Sequence, residues 1–347
     1  MEKIKKLLNK FLKQKLEFEI GLDIGNSSVK VVKLCSKPNS KLKELVSFDV
    51  QKFEGVSNSE SIATVIKKAL KNADINVSTV NTSVSGQSVI VRYIQMPKMT
   101  KEELDKALKL GIGKYIPFGV DEVNYDCQIL DDSDKKSKMM RVMLVAVKKE
   151  IIKERINTLA KAGLKANIID VDSFAIVNSF QLVSQENKGI IAVLDIGADI
   201  TSTTILKDNV PYFNRDVQIG GNNFTKAIIE EFEMTVEEAD KLKHNPQTSY
   251  GDLITAIRPV IDALADEMQL SFNYCESQLG GSVHKIFLTG GTAKFKGIGK
   301  VLSGILGVDV EIWDPTRTLL VNESVPREKL IETGPLLTVA IGLALRG

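Results

Sequence analysis

Ile20-Gly21-Leu22-Asp23-Ile24-Gly25-Asn26-Ser27-Ser28-Val29-Lys30 and Val193-Leu194-Asp195-Ile196-Gly197-Ala198-Asp199-Ile200-Thr201 are two copies of one pattern. Each runs from an apolar strand through Leu-Asp-Ile-Gly and small polar residues into another apolar strand. Asp-x-Gly alone marks a common turn, but strand, turn and strand repeated together is a far stronger signal. Glycine at the reversal lets the backbone double back closely and leaves N–H groups aimed at an anion. The aspartate ends a buried strand, where it can hold the water shell of Mg²⁺. Two such hairpins face to face would clamp the phosphates of a nucleotide.

In the first turn, Gly25, Asn26, Ser27 and Ser28 offer N–H groups and hydroxyls to terminal phosphates. Lys30 lies two residues after Ser28 on the same side of the outgoing strand, and can reach back as a point charge. Asp23 would coordinate Mg²⁺ through water. An ordinary tight hairpin with a solvent lysine would use the same residues. In the second turn Gly197, Ala198 and Asp199 form the loop, Asp195 is the inner carboxylate, and Thr201 can position a phosphate or water. Asp199 would repel phosphate and is expected to point outward. A third element, the apolar run 285–289, ends in Gly290-Gly291-Thr292 ahead of a helix. Its missing side chains let a planar ring or ribose approach, and the helix N-terminus favours an α-phosphate.

The rest of the composition narrows the classes. At 347 residues the chain exceeds one ordinary core, so at least two domains are expected. A net charge of +2 gives no global case for nucleic acid. The three cysteines, Cys35, Cys127 and Cys275, are too scattered for a disulfide framework or a zinc site, and fit a reducing cytosol. The two histidines, His244 and His284, argue against histidine-based catalysis. No apolar run approaches the roughly 18–20 residues that span a bilayer, and residues 1–20 lack the core of a signal peptide.

Along the chain, residues 1–16 set Ile4, Leu7, Leu8, Phe11 and Leu12 on one helical stripe among six lysines, Lys3 to Lys15. This basic amphipathic helix can lie on an anionic membrane or in a partner's groove; the same stripe would also pack on the chain's own domain. After the first hairpin come a strand over 42–53, a helix over 61–73 and a strand over 77–85. A strand over 88–94 stops at Met96-Pro97, and Thr100 with Glu103 forms the capping box of a helix over 101–114. Strands over 123–130 and 139–147, a helix over 151–162 and a strand over 165–170 complete a β-α-β-β-α-β block, read as an inserted subdomain at 88–166. A helix over 172–183, capped by Asp172 or Ser173, crosses to the second half. There the hairpin, a strand over 210–217, helices over 223–232, from 235 and over 253–278, the strand at 285–289, a helix over 295–306, a strand over 308–312 and a helix over 334–345 follow. The halves read as a duplicated β-β-β-α-β-α unit, each with an insertion: 17–87 with 167–187, and 188–221 with 285–347, the second insertion being 222–284.

Two phosphate hairpins followed by a strand-Gly-Gly turn resemble the actin/Hsp70/sugar-kinase superfamily. Within it the chain resembles the PilM family of type IV pilus assembly and, more distantly, the FtsA division proteins. The pieces that carry this are 21–30, 89–97 with Tyr115-Ile116-Pro117-Phe118, Arg215-Asp216-Val217-Gln218-Ile219-Gly220-Gly221, 286–297, and Ala340-Ile341-Gly342-Leu343-Ala344-Leu345-Arg346. The resemblance implies an α/β actin-like ATPase fold, a duplicated ribonuclease H-like unit, with the 88–166 block as an FtsA-type 1C subdomain. It implies ATP and Mg²⁺ in the interdomain cleft, with Gly220 and Gly221 among the nucleotide positions. Asp240 and Lys243 match the Glu and Lys that hold the ribose in relatives, the aspartate being one methylene shorter. It further implies a cytoplasmic protein at the inner membrane. Its partner would be the N-terminal cytoplasmic segment of PilN, bound between the first subdomain and the 1C-like block, beside other assembly-platform proteins and self-association. Hydrolysis would be slow at most; Asp172 is the candidate to activate water, with helix capping as its competing role. An FtsA-like membrane-associated filament former and a sugar-kinase-like phosphotransferase are the alternatives.

Overall fold

The two repeated hairpins seed two sheets. The computed structural model describes residues 17–36, 42–53, 58–130, 138–182, 188–244 and 250–346, so the expected N-terminal helix lies outside the described residues. The first hairpin is β1 (Glu17–Ile24) with β2 (Ser28–Ser36), continued antiparallel by β3 (Lys43–Lys52). Helix α1 (Ser59–Asn72) begins before the apolar periodicity does, because the Asn58 side chain accepts from the Glu60 and Ser61 N–H groups at 3.0 Å. It buries Ala63, Ile66 and Ala69, and β4 (Thr79–Val84) returns parallel to β1.

The insertion follows. Strands β5 (Val89–Pro97), β6 (Val123–Leu130) and β7 (Met139–Lys148) form a small sheet ordered β5-β7-β6, with α2 (Lys101–Gly111) between β5 and β6 in sequence. The expected break at Met96-Pro97 is instead the end of β5; proline fits there as the last residue of an edge strand. The Thr100–Glu103 capping box forms.

The block is shorter than its expected six elements. Helix α3 (Lys149–Lys161) packs on α1, and Leu159, Ala162 and Leu164 join Ile66 and Ala69 in one core. Strand β8 (Lys165–Val171) pairs parallel with β4. Both therefore belong to the larger sheet, whose order is β14-β3-β2-β1-β4-β8 with β14 (Leu320–Val321) added late from the C-terminal region. The inserted unit is β-α-β-β, and the face of its sheet away from α2 packs Val91, Met143 and Val147 on Val84, Val171 and Phe174.

Helix α4 (Asp172–Gln181) crosses to β9 (Ile190–Ile196), β10 (Thr201–Lys207) and β11 (Val210–Val217). Helices α5 (Gly221–Phe232), α6 (Val236–His244) and α7 (Tyr250–Leu279) precede β12 (Lys285–Thr289), α8 (Ile298–Leu306) and β13 (Asp309–Ile312). The second sheet is ordered β11-β10-β9-β12-β13, the same path as the first without β14. A short helix not read in the sequence, α9 (Arg327–Thr333), precedes the expected final helix over 334–345, which is a 3-10 turn (Gly334–Leu337) running into α10 (Thr338–Ala344).

Helices α4 and α10 lie between the two sheets. Ala175, Phe180, Val339 and Leu343 share a core with Ile191, Val193, Phe287 and Trp313. The contacts are backbone against backbone: a Cβ on Gly342 would overlap the Ala175 carbonyl, and one on Gly21 the Ala340 carbonyl.

Candidate functional site: a cleft between the two hairpin turns

Strands β1, β4 and β8 run parallel, as do β9 and β12, and the functional residues gather at their carboxyl ends. In the first turn the Gly25 N–H donates to the Ser28 carbonyl at 3.1 Å. Asp23 and Lys30 are register partners, and Lys30 Nζ sits 3.0 Å from Oδ2 of the buried Asp23. A Cβ on Gly25 would come within 2.9 Å of that ammonium, so the glycine makes room for the lysine. In the second turn the Gly197 N–H donates to the Ile200 carbonyl at 2.9 Å, and Asp195 is paired in register with Ser202.

The turns face each other. Asn26 Nδ2 donates across the gap to Asp199 Oδ2 at 2.9 Å, and Asn222 Nδ2 donates to the other carboxylate oxygen at 2.6 Å. Asp199 thus points into the cleft; the outward expectation fails because two amides, not a phosphate, answer its charge. Gly290, at φ +89°, is held against the second turn, where a Cβ would overlap the Asp195 carboxylate. Gly221 N–H donates to the Gly197 carbonyl at 2.9 Å and Asn222 N–H to the Ala198 carbonyl at 2.7 Å, fastening the start of α5 to the same turn.

Between the turns lies a cavity of about 120 Å³ bordered by Asp23, Gly25, Asn26, Ser27, Ser28, Lys30, Asp195, Gly197, Ala198, Gly290 and Gly291. Asp172 and Asp216 complete its floor. Neither stood out as a site residue in the sequence except Asp172 as a candidate water activator. The capping role expected for Asp172 is absent: α4 is capped by Val171, with no side-chain bond. The signal that could have raised both is position, since each acid sits where a strand ends or approaches the turns. Arg155, from α3, also escaped notice; its guanidinium donates to the Ile24 carbonyl at 3.3 Å beneath the first turn.

Charge here is unbalanced: five carboxylates, Asp23, Asp172, Asp195, Asp199 and Asp216, border the cavity with one lysine, and Arg155 stands behind the first turn. Burial pushes Asp23 up, opposed by Lys30. Burial likewise pushes Asp195 up, to about 7, with Lys30 opposing and Asp23, Asp172 and Asp216 adding to the rise. Burial alone would lower Lys30, but Asp23 and Asp195 outweigh it and its ammonium is held above the ordinary range. Burial lowers Arg155, with Asp172 and Asp23 working against the fall. A surplus of buried carboxylate beside open backbone turns fits a divalent cation arriving with anionic oxygens. Among the described residues no three His, Cys, Asp or Glu side chains are grouped to hold a metal directly.

Six expected site residues do not border this cavity: Thr201, Thr292, Lys243, Asp240, Gly220 and Gly221. Thr201 is fully buried and its hydroxyl donates to the Ile219 carbonyl at 2.6 Å, so it braces the turn rather than meeting the cavity. Thr292 is buried too, donating to the Gly197 carbonyl at 3.2 Å. Lys243 is 5% exposed and spends its ammonium on Thr225 Oγ1 at 2.7 Å and Asp240 at 2.9 Å. Asp240 also takes Lys52 across the mouth of the cleft at 2.9 Å; burial opposes ionisation, but Lys52 and Lys243 hold its carboxyl at about 2. Gly220 and Gly221 sit beside this corner, where a Cβ on Gly221 would lie 2.6 Å from Thr292 Oγ1.

A second cavity, about 280 Å³, opens between the inserted unit and the first large sheet. Met143, Val145 and Val147 of β7 and Ile152, Ile169 and Phe174 make it apolar; Cys127 of β6 borders it. Asp170 and Arg346 also line it, with Arg346 Nε 2.8 Å from Asp170 Oδ2. The inserted unit touches the second half as well: Arg141 donates to the Pro211 carbonyl at 2.9 Å and lies over the Tyr212 ring.

The family model described as type IV pilus assembly protein PilM matches residues 21–347. A solved PilM–PilN type IV pilus biogenesis complex contains a chain 31% identical to this one, with a TM-score of 0.82 over 94% of this chain and 98% of that one. The ethanolamine utilization protein EutJ from Carboxydothermus hydrogenoformans shares the fold at 15% identity, with a TM-score of 0.55, covering 99% and 97% of the two chains. Cell division protein FtsA of Streptococcus pneumoniae serotype 2 is 22% identical over 350 residues, 86% of this chain and 76% of that protein. No helix among the described residues is long and apolar enough to cross a membrane.

Proposed function

The chain belongs to the PilM family of type IV pilus assembly proteins and has the actin-like ATPase fold, and from that membership we propose a two-site scaffold. The cleft takes ATP with Mg²⁺. The apolar groove takes the N-terminal cytoplasmic segment of a PilN-type protein, and the state of one site biases the other. The observation that carries the nucleotide half is the pair of glycine turns facing each other over a floor with more carboxylates than cations.

In this reading the Gly25–Ser28 and Gly197–Ala198 backbones receive phosphate oxygens, and Lys30 supplies a fixed charge to them. Mg²⁺ would add the charge that neutralises those oxygens, carried through its waters by Asp23 and Asp195. Gly290 and Gly291 leave space for the nucleoside. Asp240 would exchange Lys52 for ribose hydroxyls, with Lys243 keeping its orientation. A cavity of about 120 Å³ is below the roughly 300 Å³ at which ligand pockets begin. Entry of a whole nucleotide therefore parts the Asn26–Asp199 and Lys52–Asp240 contacts first, and the domains reclose on it. Asp172 is placed to orient a water for slow hydrolysis.

The groove half rests on the 31%-identical relative, whose solved structure is a PilM–PilN complex. Its apolar walls around one ion pair suit a short segment with apolar side chains and a polar group between them. Residues 1–16 would reinforce attachment to an anionic membrane surface. Calorimetry with ATP–Mg²⁺ on Asp23→Ala and Lys30→Ala tests the cleft: both should lose affinity with circular dichroism unchanged, and equal affinity in both would remove the assignment. Met143→Lys should abolish binding of the PilN segment and leave ATP affinity alone.

A further inference from the structure

The nucleotide cleft and the groove are served by the same two pieces of chain. Where β8 runs into α4, Asp170 and Val171 line the groove, and Asp172, the next residue, lines the cleft. At the other piece, Val339 in the first turn of α10 borders the cleft, and Arg346, two residues past its end, borders the groove. Arg346 closes the circuit by pairing with Asp170 at 2.8 Å. The α4 and α10 backbones touch at Ala175 and Gly342 with no room for a Cβ, so these helices move together or not at all.

We infer that the α4–α10 pair, pinned at the groove by the Asp170–Arg346 contact, is the joint that transmits occupancy of the cleft to the groove. This rests on the reading of the cleft as a nucleotide site. A ligand between the turns presses on Asp172 and Val339, one at the start of each helix. Because the helices are locked to each other, the displacement is delivered at Asp170 and Arg346. Asp170 is 7% exposed, and its one carboxylate oxygen is committed to the Val171 N–H at 2.9 Å. The other meets a side chain that is half in solvent, so the Arg346 contact is the element with two states: closed on Asp170, or released into the groove. A groove occupant selects between them, and by linkage changes ATP affinity by the factor that ATP changes its own.

A reporter can be placed on the groove side of β6. The Cys127 thiol turns to the other face of the small sheet, against Lys101 and Asp105 of α2, whereas Gln128, the register partner of Met143, lines the groove. Cys35, Cys127 and Cys275 are all buried, so the thiol introduced by Gln128→Cys is the exposed one. Its alkylation rate by a small maleimide is measured in the full chain with and without ATP–Mg²⁺, and occupancy is followed in the same samples with a fluorescent ATP analogue. The expected result is a change of threefold or more in the chain with that substitution alone. With Asp170→Asn or Arg346→Gln added it should shrink to under 1.5-fold, with the analogue bound to within twofold as before. Bound analogue with no change at the reporter thiol overturns the joint, as does a full response with both added substitutions. Absence of analogue binding overturns the cleft assignment itself and the joint with it.

Discussion

At one register position the two hairpins differ by a single side chain. Across β1 and β2, Asp23 faces Lys30; across β9 and β10, Asp195 faces Ser202. The first copy brings its own counter-charge to 3.0 Å, while the second has none on its hairpin and relies on Lys30 from across the cleft. One turn is a finished ion pair and the other an acid held at about 7, short of positive charge. Duplication supplied the shape twice and the lysine once, and the deficit falls where a cation-bearing ligand would sit.

The largest expected effect removes the shared charge. Lys30→Ala takes the nearest cation from Asp23 and Asp195 and should lower unfolding stability by about 3–5 kcal/mol in denaturant titrations; Ser202→Ala, at the equivalent position, removes a hydroxyl bonded to Asn214 and Asp216 and should cost about 1–2 kcal/mol. Equal losses would erase the asymmetry. Next come the acids themselves. At pH 8 and without ligand, Asp195→Asn should raise stability by roughly 1–2 kcal/mol, because it deletes an under-compensated charge. Asp23→Asn should lower it, because Lys30 loses its nearest partner. Thermal melts giving the same sign for both would break the comparison.

A smaller effect belongs to the second half alone, which holds both histidines. Burial lowers His244 to about 4, Lys243 adding to the fall and Asp240 opposing it. Between that value and its unfolded pKa near 6.5 the unfolded chain binds more protons, so stability is full above about pH 6.5 and is lost as pH falls toward 4. His244→Gln should flatten that part of the stability curve. The smallest effect concerns the cleft mouth. The exposed Lys52–Asp240 pair is worth at most about 1 kcal/mol, so Lys52→Ala should speed analogue binding in stopped flow by no more than about fivefold.

Much of this is legible in the sequence. The hairpins declared themselves through repetition, and the Gly290 turn through its place after a buried strand. Capping chemistry places the start of α2 at Thr100, where the hydroxyl and Glu103 close on each other. What stayed hidden depended on tertiary placement. Whether α3 and β8 serve the inserted sheet or the larger one cannot be read from periodicity, since Leu159 and Leu164 are apolar in either case. Thr201 and Lys243 match a ligand's residue type, but a neighbouring carbonyl or hydroxyl holds each in the structure. Asp172 reads as a helix cap in sequence and turns into the cleft because Val171 occupies the cap position. Strand β14 is only two residues long, too short for a pattern.

On the proposed reading, Lys30 makes two unequal turns into one nucleotide clamp that needs a divalent cation. Isothermal titration of ATP into wild type and Lys30→Ala, each with Mg²⁺ and with EDTA, separates the lysine's part from the cation's. The prediction is one ATP bound per wild-type chain with Mg²⁺, at least tenfold weaker binding in EDTA, and a loss of a hundredfold or more in Lys30→Ala. Binding of equal strength in wild type and Lys30→Ala, or binding indifferent to Mg²⁺, would contradict it.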